Sequence, residues 1–230
     1  MTAMSTFVLI PGAGGNGEYW DRLVPALEQR GHEAIAIDIK GDDPALGLPE
    51  YAEIVERAVG DRRGVVLVAQ SLGGFTAPTV AERKPVSRLV FVNAMIPEPG
   101  ETPGAWWANT GAIEARQAAD EAAGRSAGFD METHFLHDLS DEVKTALYAS
   151  NPREPADTVF GQPCAFERWP DLPITVLVGR DDRFFPADFQ RRVTKERLGL
   201  DAELLPGGHL IAQAQPEPLA DRLVALSDGT

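Results

Sequence analysis

The stretch Val65-Val66-Leu67-Val68-Ala69-Gln70-Ser71-Leu72-Gly73-Gly74-Phe75 decides the fold. Its first half is an apolar, β-branched run, which predicts a buried strand. Its second half is a small–x–Ser–x–Gly turn that leads into a helix-compatible segment, with Ala69 where the motif usually has its first glycine. Small neighbours let such a turn tighten, so that the serine hydroxyl projects from the edge of the sheet. The sequence therefore predicts Ser71 as a nucleophile.

Five further apolar runs surround this unit and alternate with helical segments. The predicted strands are Phe7–Ile10, Ala34–Asp38, Val65–Gln70, Leu89–Asn93, Ile174–Gly179 and Ala202–Pro206. The predicted helices are Tyr19–Arg30, Pro49–Val59, Leu72–Glu82, Ala187–Arg197 and Pro216–Leu226. Because most of the strands are apolar throughout, they suit a parallel sheet that is covered on both faces. The alternation predicts an α/β fold with a doubly wound, mostly parallel six-stranded sheet.

The stretch 97–169 breaks this alternation. It is rich in Ala, Glu, Asp and Pro, has helical pieces and contains no clear strand. We expect a core formed by residues 1–96 and 170–230, with residues 97–169 inserted as a helical cap.

Composition narrows the choice of partners. The chain has 230 residues, 43% of them hydrophobic, and a formal net charge of −14. Such a surface repels phosphate backbones and anionic lipid, so we expect neither nucleic acid nor membrane as a partner. The only cysteine, Cys164, excludes an intrachain disulfide, and the N-terminal residues lack the basic region of a signal peptide. We therefore expect a cytoplasmic protein that binds a small molecule; a homodimer stays open.

A serine hydroxyl needs a neighbouring base, and the base needs an acid to orient it. Asp181 and Asp182 both follow the predicted strand Ile174–Gly179, at the sheet edge where Ser71 lies. We favour Asp182, which completes Gly-x-x-Asp; the alternative is that both only cap the next helix. His209 follows the last strand in the loop Pro206-Gly207-Gly208-His209, and is the predicted base.

Three other histidines are less suited to that role. We expect His32 to be solvated in a turn. His134 and His137 lie three residues apart in the predicted cap, a spacing typical of surface residues on a helix, although a metal site there is conceivable. No metal is predicted.

Glycines also follow the first strand, in Pro11-Gly12-Ala13-Gly14-Gly15-Asn16-Gly17. The segment lacks both Gly-x-Gly-x-x-Gly and the Lys-Ser/Thr of a P-loop, so a nucleotide cofactor is not expected. The alternative is an oxyanion hole, with donors from the backbone N–H groups of Ala13 and Leu72.

Together these elements resemble the α/β-hydrolase superfamily, and within it the methylesterase and hydroxynitrile lyase group with its bacterial esterase relatives. The resemblance covers nearly the whole chain, without the usual first two strands. Two departures concern the reaction. The lyases have a Thr at the position of Gly12 and a Lys at that of Leu210, where the Lys stabilises a leaving cyanide. The absence of this Thr and this Lys from the present sequence favours hydrolysis.

The resemblance implies a cofactor-independent serine hydrolase that cleaves a small, hydrophobic carboxylic ester through Ser71, His209 and Asp182. The alternatives are a lyase or C–C hydrolase with the same triad, and a ligand-binding member of the fold with low turnover. Candidate substrate-pocket residues are Gly12, Trp106, Trp107, Phe135 and Leu210; the aromatic ones could instead pack the cap onto the core.

Overall fold

The computed structural model describes residues 4–227. Its centre is a parallel sheet of six strands in the order β2-β1-β3-β4-β5-β6. The strands are β1 (Thr6–Ile10), β2 (Glu33–Ala36), β3 (Val65–Gln70), β4 (Val86–Val92), β5 (Ile174–Gly179) and β6 (Glu203–Leu205). The predicted fold class is confirmed. Since all strands run in one direction, their carboxyl ends meet at a single edge.

Eleven α-helices lie in the described part of the chain. They are α1 (Leu23–Gln29), α2 (Leu48–Val59), α3 (Ala77–Arg83), α4 (Pro103–Thr110), α5 (Ala112–Ala122), α6 (Met131–His134), α7 (Asp141–Ala149), α8 (Thr158–Gly161), α9 (Ala187–Leu198), α10 (Ile211–Ala214) and α11 (Pro216–Ser227). None of them is long and apolar enough to cross a membrane.

Two apolar clusters cover the two faces of the sheet. Val8 and Leu67 face the cluster that contains α2, α3 and α9, while Leu9 and Val68 face the cluster that contains α1 and α11. Each fully buried side chain of this size contributes about 1.5–3 kcal/mol relative to an exposed one. The strands are therefore apolar on both sides, which is why their sequences do not alternate.

Two predicted helices begin later than expected. The segment expected as Tyr19–Arg30 splits into a 3₁₀ turn (Gly17–Trp20) and α1, and the segment expected from Leu72 splits into a 3₁₀ turn (Ser71–Phe75) and α3. The reason is proline. Pro25 and Pro78 lack an N–H and are tolerated only in the first turn of a helix, so neither α-helix extends far upstream of its proline.

Strand ends also differ from the prediction. β4 begins at Val86 and stops at Val92, because Asn93 has a φ of 46° that no strand accommodates. The edge strands β2 and β6 are each shorter than the predicted strands. Just beyond the end of β2, Ile37 still donates its N–H to the carbonyl of Leu9 at 2.9 Å.

Residues 97–169 hold α4 to α8 and no strand. One tie to the rest of the fold is a bidentate ion pair, in which Arg197 of α9 lies 2.5 and 2.9 Å from the carboxylate oxygens of Glu101. A second is the side chain of Gln162, which accepts the N–H of Leu48 at 2.8 Å. The division into a core and a cap remains a prediction.

Candidate active site

Ser71 lies directly after β3, at the edge where the strands end. Its φ of 49° is in the left-handed region, which costs free energy for a residue with a side chain. The turn is held by the N–H of Met95, which donates to the Ser71 carbonyl at 3.0 Å. Gly73 and Gly74 allow this turn, since a Cβ on either would overlap backbone carbonyls of neighbouring segments. Strain of this kind is typical of a functional site.

Asp182 and His209 form a buried pair at the same edge. His209 Nδ1 lies 2.9 Å from Asp182 Oδ2, and both side chains are inaccessible to solvent. The other carboxylate oxygen accepts the N–H groups of Phe184 and Phe185 at 2.8 and 2.9 Å. Since a carboxylate is only an acceptor, this contact requires a proton on Nδ1, and the neutral imidazole then has its lone pair on Nε2.

Asp181 has a different environment from its neighbour. Its side chain accepts the N–H of Gly207 at 3.3 Å, and it makes no hydrogen bond with His209 among the described residues. The geometry therefore favours Asp182 as the partner of the imidazole.

Asn93 and Gln190 hold this pair in place. The Asn93 amide donates to the carbonyls of Gly208 (2.8 Å) and His209 (3.2 Å), and its oxygen accepts the N–H of Gly179 at 2.6 Å. Gln190 donates to Asp182 Oδ2 at 3.1 Å. Sequence reasoning placed Asn93 only at the end of a predicted strand, and it missed Gln190. The sequence signal of these two residues is weak, because a side-chain amide at the end of a strand or on a helix does not indicate which group it will contact.

The free nitrogen of His209 faces an unexpected residue. Its Nε2 lies 3.3 Å from Nε2 of Gln70, the last residue of β3. A hydrogen bond from the Ser71 hydroxyl to this nitrogen is absent from the contacts of the described residues. The structure thus brings Ser71, Asp182 and His209 to one edge of the sheet and joins the latter two directly.

The predicted oxyanion donors lie beside the serine. Gly12 sits against it, since a Cβ on Gly12 would fall 2.8 Å from Ser71 Cβ and 2.5 Å from Gln70 Oε1. Ala13 follows in a turn that is closed by the Gly15 N–H and the Gly12 carbonyl at 3.1 Å. Leu72 lies in the first turn of the 3₁₀ segment, where N–H groups have no acceptor within the helix.

Residues of the predicted cap reach the His209 loop. The ring of Phe135 lies 4.7 Å from the His209 ring, nearly perpendicular to it. Asp138 accepts the N–H of Gly208, the residue before His209, at 2.6 Å. Beside it, His137 Nδ1 lies 4.0 Å from Asp138 Oδ1, and burial lowers the pKa of this imidazole despite the nearby carboxylate. Sequence reasoning noted Asp138 only as a neighbour of His134 and His137 and assigned it no contact with the His209 loop.

The other candidate pocket residues occupy varied positions. Trp106 is buried, packs against Phe185 and Phe189, and donates from its indole to the Ile96 carbonyl at 3.0 Å. Trp107 contacts Phe184 and Phe185. Leu210 packs against the cluster of α1 and α11. In this structure both tryptophans pack against Phe185, and their contact with a substrate remains a prediction.

Two expectations about histidines are wrong. His32 is only 5% exposed; its Nδ1 accepts the N–H of Ser5 at 3.2 Å, and its ring packs on Phe7. His134 is fully buried, with Nε2 at 3.0 Å from Asp120 Oδ2. Both imidazoles make hydrogen bonds with residues distant in the chain, and the local spacing of histidines does not indicate such partners. Within residues 4–227, no three or more His, Cys, Asp or Glu side chains are grouped so that they could hold a metal ion.

A cavity of about 660 Å³ lies between α7 and the segment that precedes α1. Val143, Ala146 and Leu147 line it from α7, and Glu18 and Arg22 line it from the other side. Ser71, Asp182 and His209 do not line it, and Ser71 itself is only 9% exposed. Ser71 and His209 are therefore almost inaccessible to solvent in this structure.

Comparison with known proteins decides the family. The sequence pattern of the alpha/beta hydrolase family matches residues 7–222. The chain belongs to the alpha/beta hydrolase family. It is 31% identical to a pyrethroid hydrolase of Sphingobium wenxiniae, over 98% of this chain and 88% of that protein. It is 24% identical to salicylic acid-binding protein 2 of Nicotiana tabacum, over 96% of each chain.

Solved structures share the fold of this alpha/beta hydrolase. A pyrethroid hydrolase from Sphingobium faniae JZ-2 superposes with a TM-score of 0.74 at 22% identity, over 98% of both chains. Polyneuridine aldehyde esterase superposes with a TM-score of 0.77 at 18% identity, over 98% of this chain and 100% of that one. The resemblance to the methylesterase group is confirmed, and the relatives support assignment of this alpha/beta hydrolase to the carboxylic ester hydrolases.

Proposed function

We propose that this alpha/beta hydrolase cleaves a small, hydrophobic carboxylic ester through an acyl-enzyme on Ser71. The observation that carries the proposal is the buried Asp182–His209 pair, which sits at the sheet edge beside a serine in a strained turn. A buried carboxylate that fixes the imidazole tautomer is what a serine needs in order to become a nucleophile.

In the first half of the reaction, Ser71 Oγ attacks the ester carbonyl carbon, and its proton passes to His209 Nε2. Asp182 stabilises the imidazolium that forms. The negative charge on the former carbonyl oxygen is held by the N–H groups of Ala13 and Leu72; one such donor is typically worth about 10²–10³ in turnover. Collapse of this intermediate returns the proton from His209 to the leaving alcohol and leaves an ester on Ser71.

In the second half, His209 takes a proton from a water molecule, which attacks the acyl carbon. The carboxylic acid leaves, and the proton returns to Ser71 Oγ. Each acid–base step of this kind contributes roughly 10²–10⁴ to the rate. No cofactor takes part, and every proton in the cycle moves on His209 Nε2.

The aromatic surroundings favour an apolar substrate. Phe135, Phe184 and Phe185 place their rings 4.7, 5.0 and 5.1 Å from the His209 ring. A group bound next to this imidazole would meet aromatic carbon, and a net charge of −14 disfavours polyanionic substrates. Two of the relatives are named as pyrethroid hydrolases, and pyrethroid esters are therefore sensible members of a substrate panel.

The test is turnover of p-nitrophenyl acetate by the wild type and by Ser71→Ala. We expect the substitution to lower kcat by about 10⁴-fold or more, because the nucleophile is lost while the fold is kept. A matched control is Ser140→Ala, which removes the N-cap hydroxyl of α7 and no group of the proposed mechanism. Equal rates for the wild type and Ser71→Ala would end the proposal.

A further inference from the structure

The side-chain amide of Gln70 contacts Nε2 of His209, the nitrogen that accepts the serine proton in the proposed reaction. Gln70 Nε2 lies 3.3 Å from His209 Nε2 and 3.5 Å from the His209 carbonyl oxygen. Gln70 is 3% exposed and His209 is fully buried, so water does not compete for this contact.

The direction of the contact follows from its surroundings. Asp182 holds the proton of His209 on Nδ1, so Nε2 offers a lone pair, and the His209 carbonyl offers another. Two acceptors face the end of the Gln70 side chain. Its NH₂ group satisfies both, whereas the amide oxygen in that place would be repelled by both. The oxygen instead points to Gly12, where a Cβ would fall only 2.5 Å from it.

One lone pair cannot serve two donors. While Gln70 donates to His209 Nε2, the Ser71 hydroxyl cannot pass its proton there, although Ser71 is the next residue in the chain. The absence of a Ser71–His209 hydrogen bond among the described residues agrees with this competition. The contact must therefore break before the serine is activated.

We propose that Gln70 blocks His209 in the resting protein and that substrate binding displaces its carboxamide. This inference rests on the proposed function and adds a resting state to it. Gly12 provides the place for the amide, since any side chain at this position would overlap the Gln70 oxygen and Ser71 Cβ. Gln70 is thus a positioning residue that acts through His209, and its hydrogen bond is lost before the acylation step begins.

The experiment compares the rate at which a fluorophosphonate labels Ser71 in the wild type and in Gln70→Met. Methionine has a similar volume and no donor. We expect labelling of Gln70→Met to be about 2- to 12-fold faster, the range that one net hydrogen bond corresponds to. With p-nitrophenyl acetate we expect kcat/KM to rise by the same factor and kcat to change by less than about twofold, because the block affects only the free enzyme.

A control and a second variant keep the test decisive. Gln117→Met changes an exposed glutamine of α5 and should label at the wild-type rate. Gln70→Leu replaces Gln70→Met if the latter does not fold, and the same acceleration is expected. A role of Gln70 in structure alone would lower labelling and kcat together, and this result would overturn the inference.

The outcomes separate the inference from the proposed function. If Ser71 is not labelled in the wild type, both the proposed function and the proposed block of His209 by Gln70 are contradicted. Labelling of the wild type without acceleration in Gln70→Met or Gln70→Leu would remove the block alone.

Discussion

Residues 4–227 contain two fully buried Asp–His pairs, one at the sheet edge and one among the helices of residues 97–169. His209 lies 2.9 Å from Asp182, and His134 lies 3.0 Å from Asp120; all four side chains are inaccessible to solvent. They differ at the second imidazole nitrogen. His209 Nε2 faces the amide of Gln70 beside Ser71, whereas His134 Nδ1 lies 2.8 and 3.0 Å from the carbonyl and N–H of Asp130.

The two carboxylates differ as well. Asp120 is paired with Arg116 at 3.2 Å and with Arg125 at 2.9 Å, while no arginine or lysine pairs with Asp182 among the described residues. Burial raises the pKa of Asp120, but hydrogen bonds from His134 and Arg125 outweigh it and leave that pKa below its ordinary value. Burial of an Asp–His pair does not by itself predict a catalytic role. It requires an imidazole nitrogen that a nucleophile can reach.

The largest expected effect distinguishes Asp182 from Asp181, the two candidates for the acid that orients His209. Asp182→Asn should lower kcat by about 10⁴-fold, because the amide favours the wrong tautomer of His209. Asp181→Asn should stay within about threefold of the wild type, since Asp181 contacts Gly207 and not the imidazole. The measurement is ester turnover with both variants checked for folding. A comparable loss in Asp181→Asn would contradict the assignment.

The same substitution in the Asp120–His134 pair should affect stability instead. Asp120→Asn leaves Arg116 without its buried partner, and breaking a buried ion pair costs about 3–5 kcal/mol. We expect the free energy of unfolding, measured by urea denaturation, to fall by this amount, while kcat of the folded fraction remains close to the wild-type value. A loss of kcat at unchanged stability would show that the Asp120–His134 pair serves the reaction.

A smaller effect concerns the ring that connects the two regions. Phe135→Ala removes the ring 4.7 Å from His209, and should lower kcat/KM for an ester of an aromatic acid, p-nitrophenyl benzoate, by about 10-fold relative to p-nitrophenyl acetate. Phe129→Ala is the control, because this half-exposed ring contacts Phe135 and His134 but not His209. Equal changes for both esters would argue against Phe135 as a pocket residue.

The smallest expected effect is on the pH dependence of stability. The folded pKa of Asp120 lies below the value of about 3.9 in an unfolded chain. The unfolded state therefore binds more protons as the pH falls through this range, and the stabilisation that is complete above about pH 4 is lost at lower pH. Urea unfolding between pH 5 and pH 3 should show a shallower decline for Asp120→Asn than for the wild type. Parallel curves would contradict the lowered pKa.

The sheet and the residues at its edge were predictable because short-range patterns encode them. The apolar runs of β1, β3 and β5 are buried on both faces, and the loops after β3, β5 and β6 carry Ser71, Asp182 and His209. The predicted helix starts were less accurate, because the predictions did not take into account where Pro25 and Pro78 lie within their helices.

Long-range polar contacts could not be predicted in this way. Gln70 read as the polar end of a strand, and nothing nearby indicated a histidine 139 residues further along the chain. The Asp120–His134 pair and the contact of His32 with Ser5 depend likewise on how separate segments pack. Burial of a polar side chain is decided by its partner, and a single sequence does not identify that partner.

The contact between Asp138 and Gly208 has a consequence for exchanging parts of this fold. Since a carboxylate from the turn between α6 and α7 holds the backbone N–H of Gly208, next to His209, residues 97–169 are not a detachable module that alters only substrate choice. A chimera that received the corresponding segment of a distant relative would keep its sheet and its serine, yet would leave this amide without an acceptor unless the donor segment supplied one. Recombination between relatives should therefore succeed most often when segment and loop are transferred together.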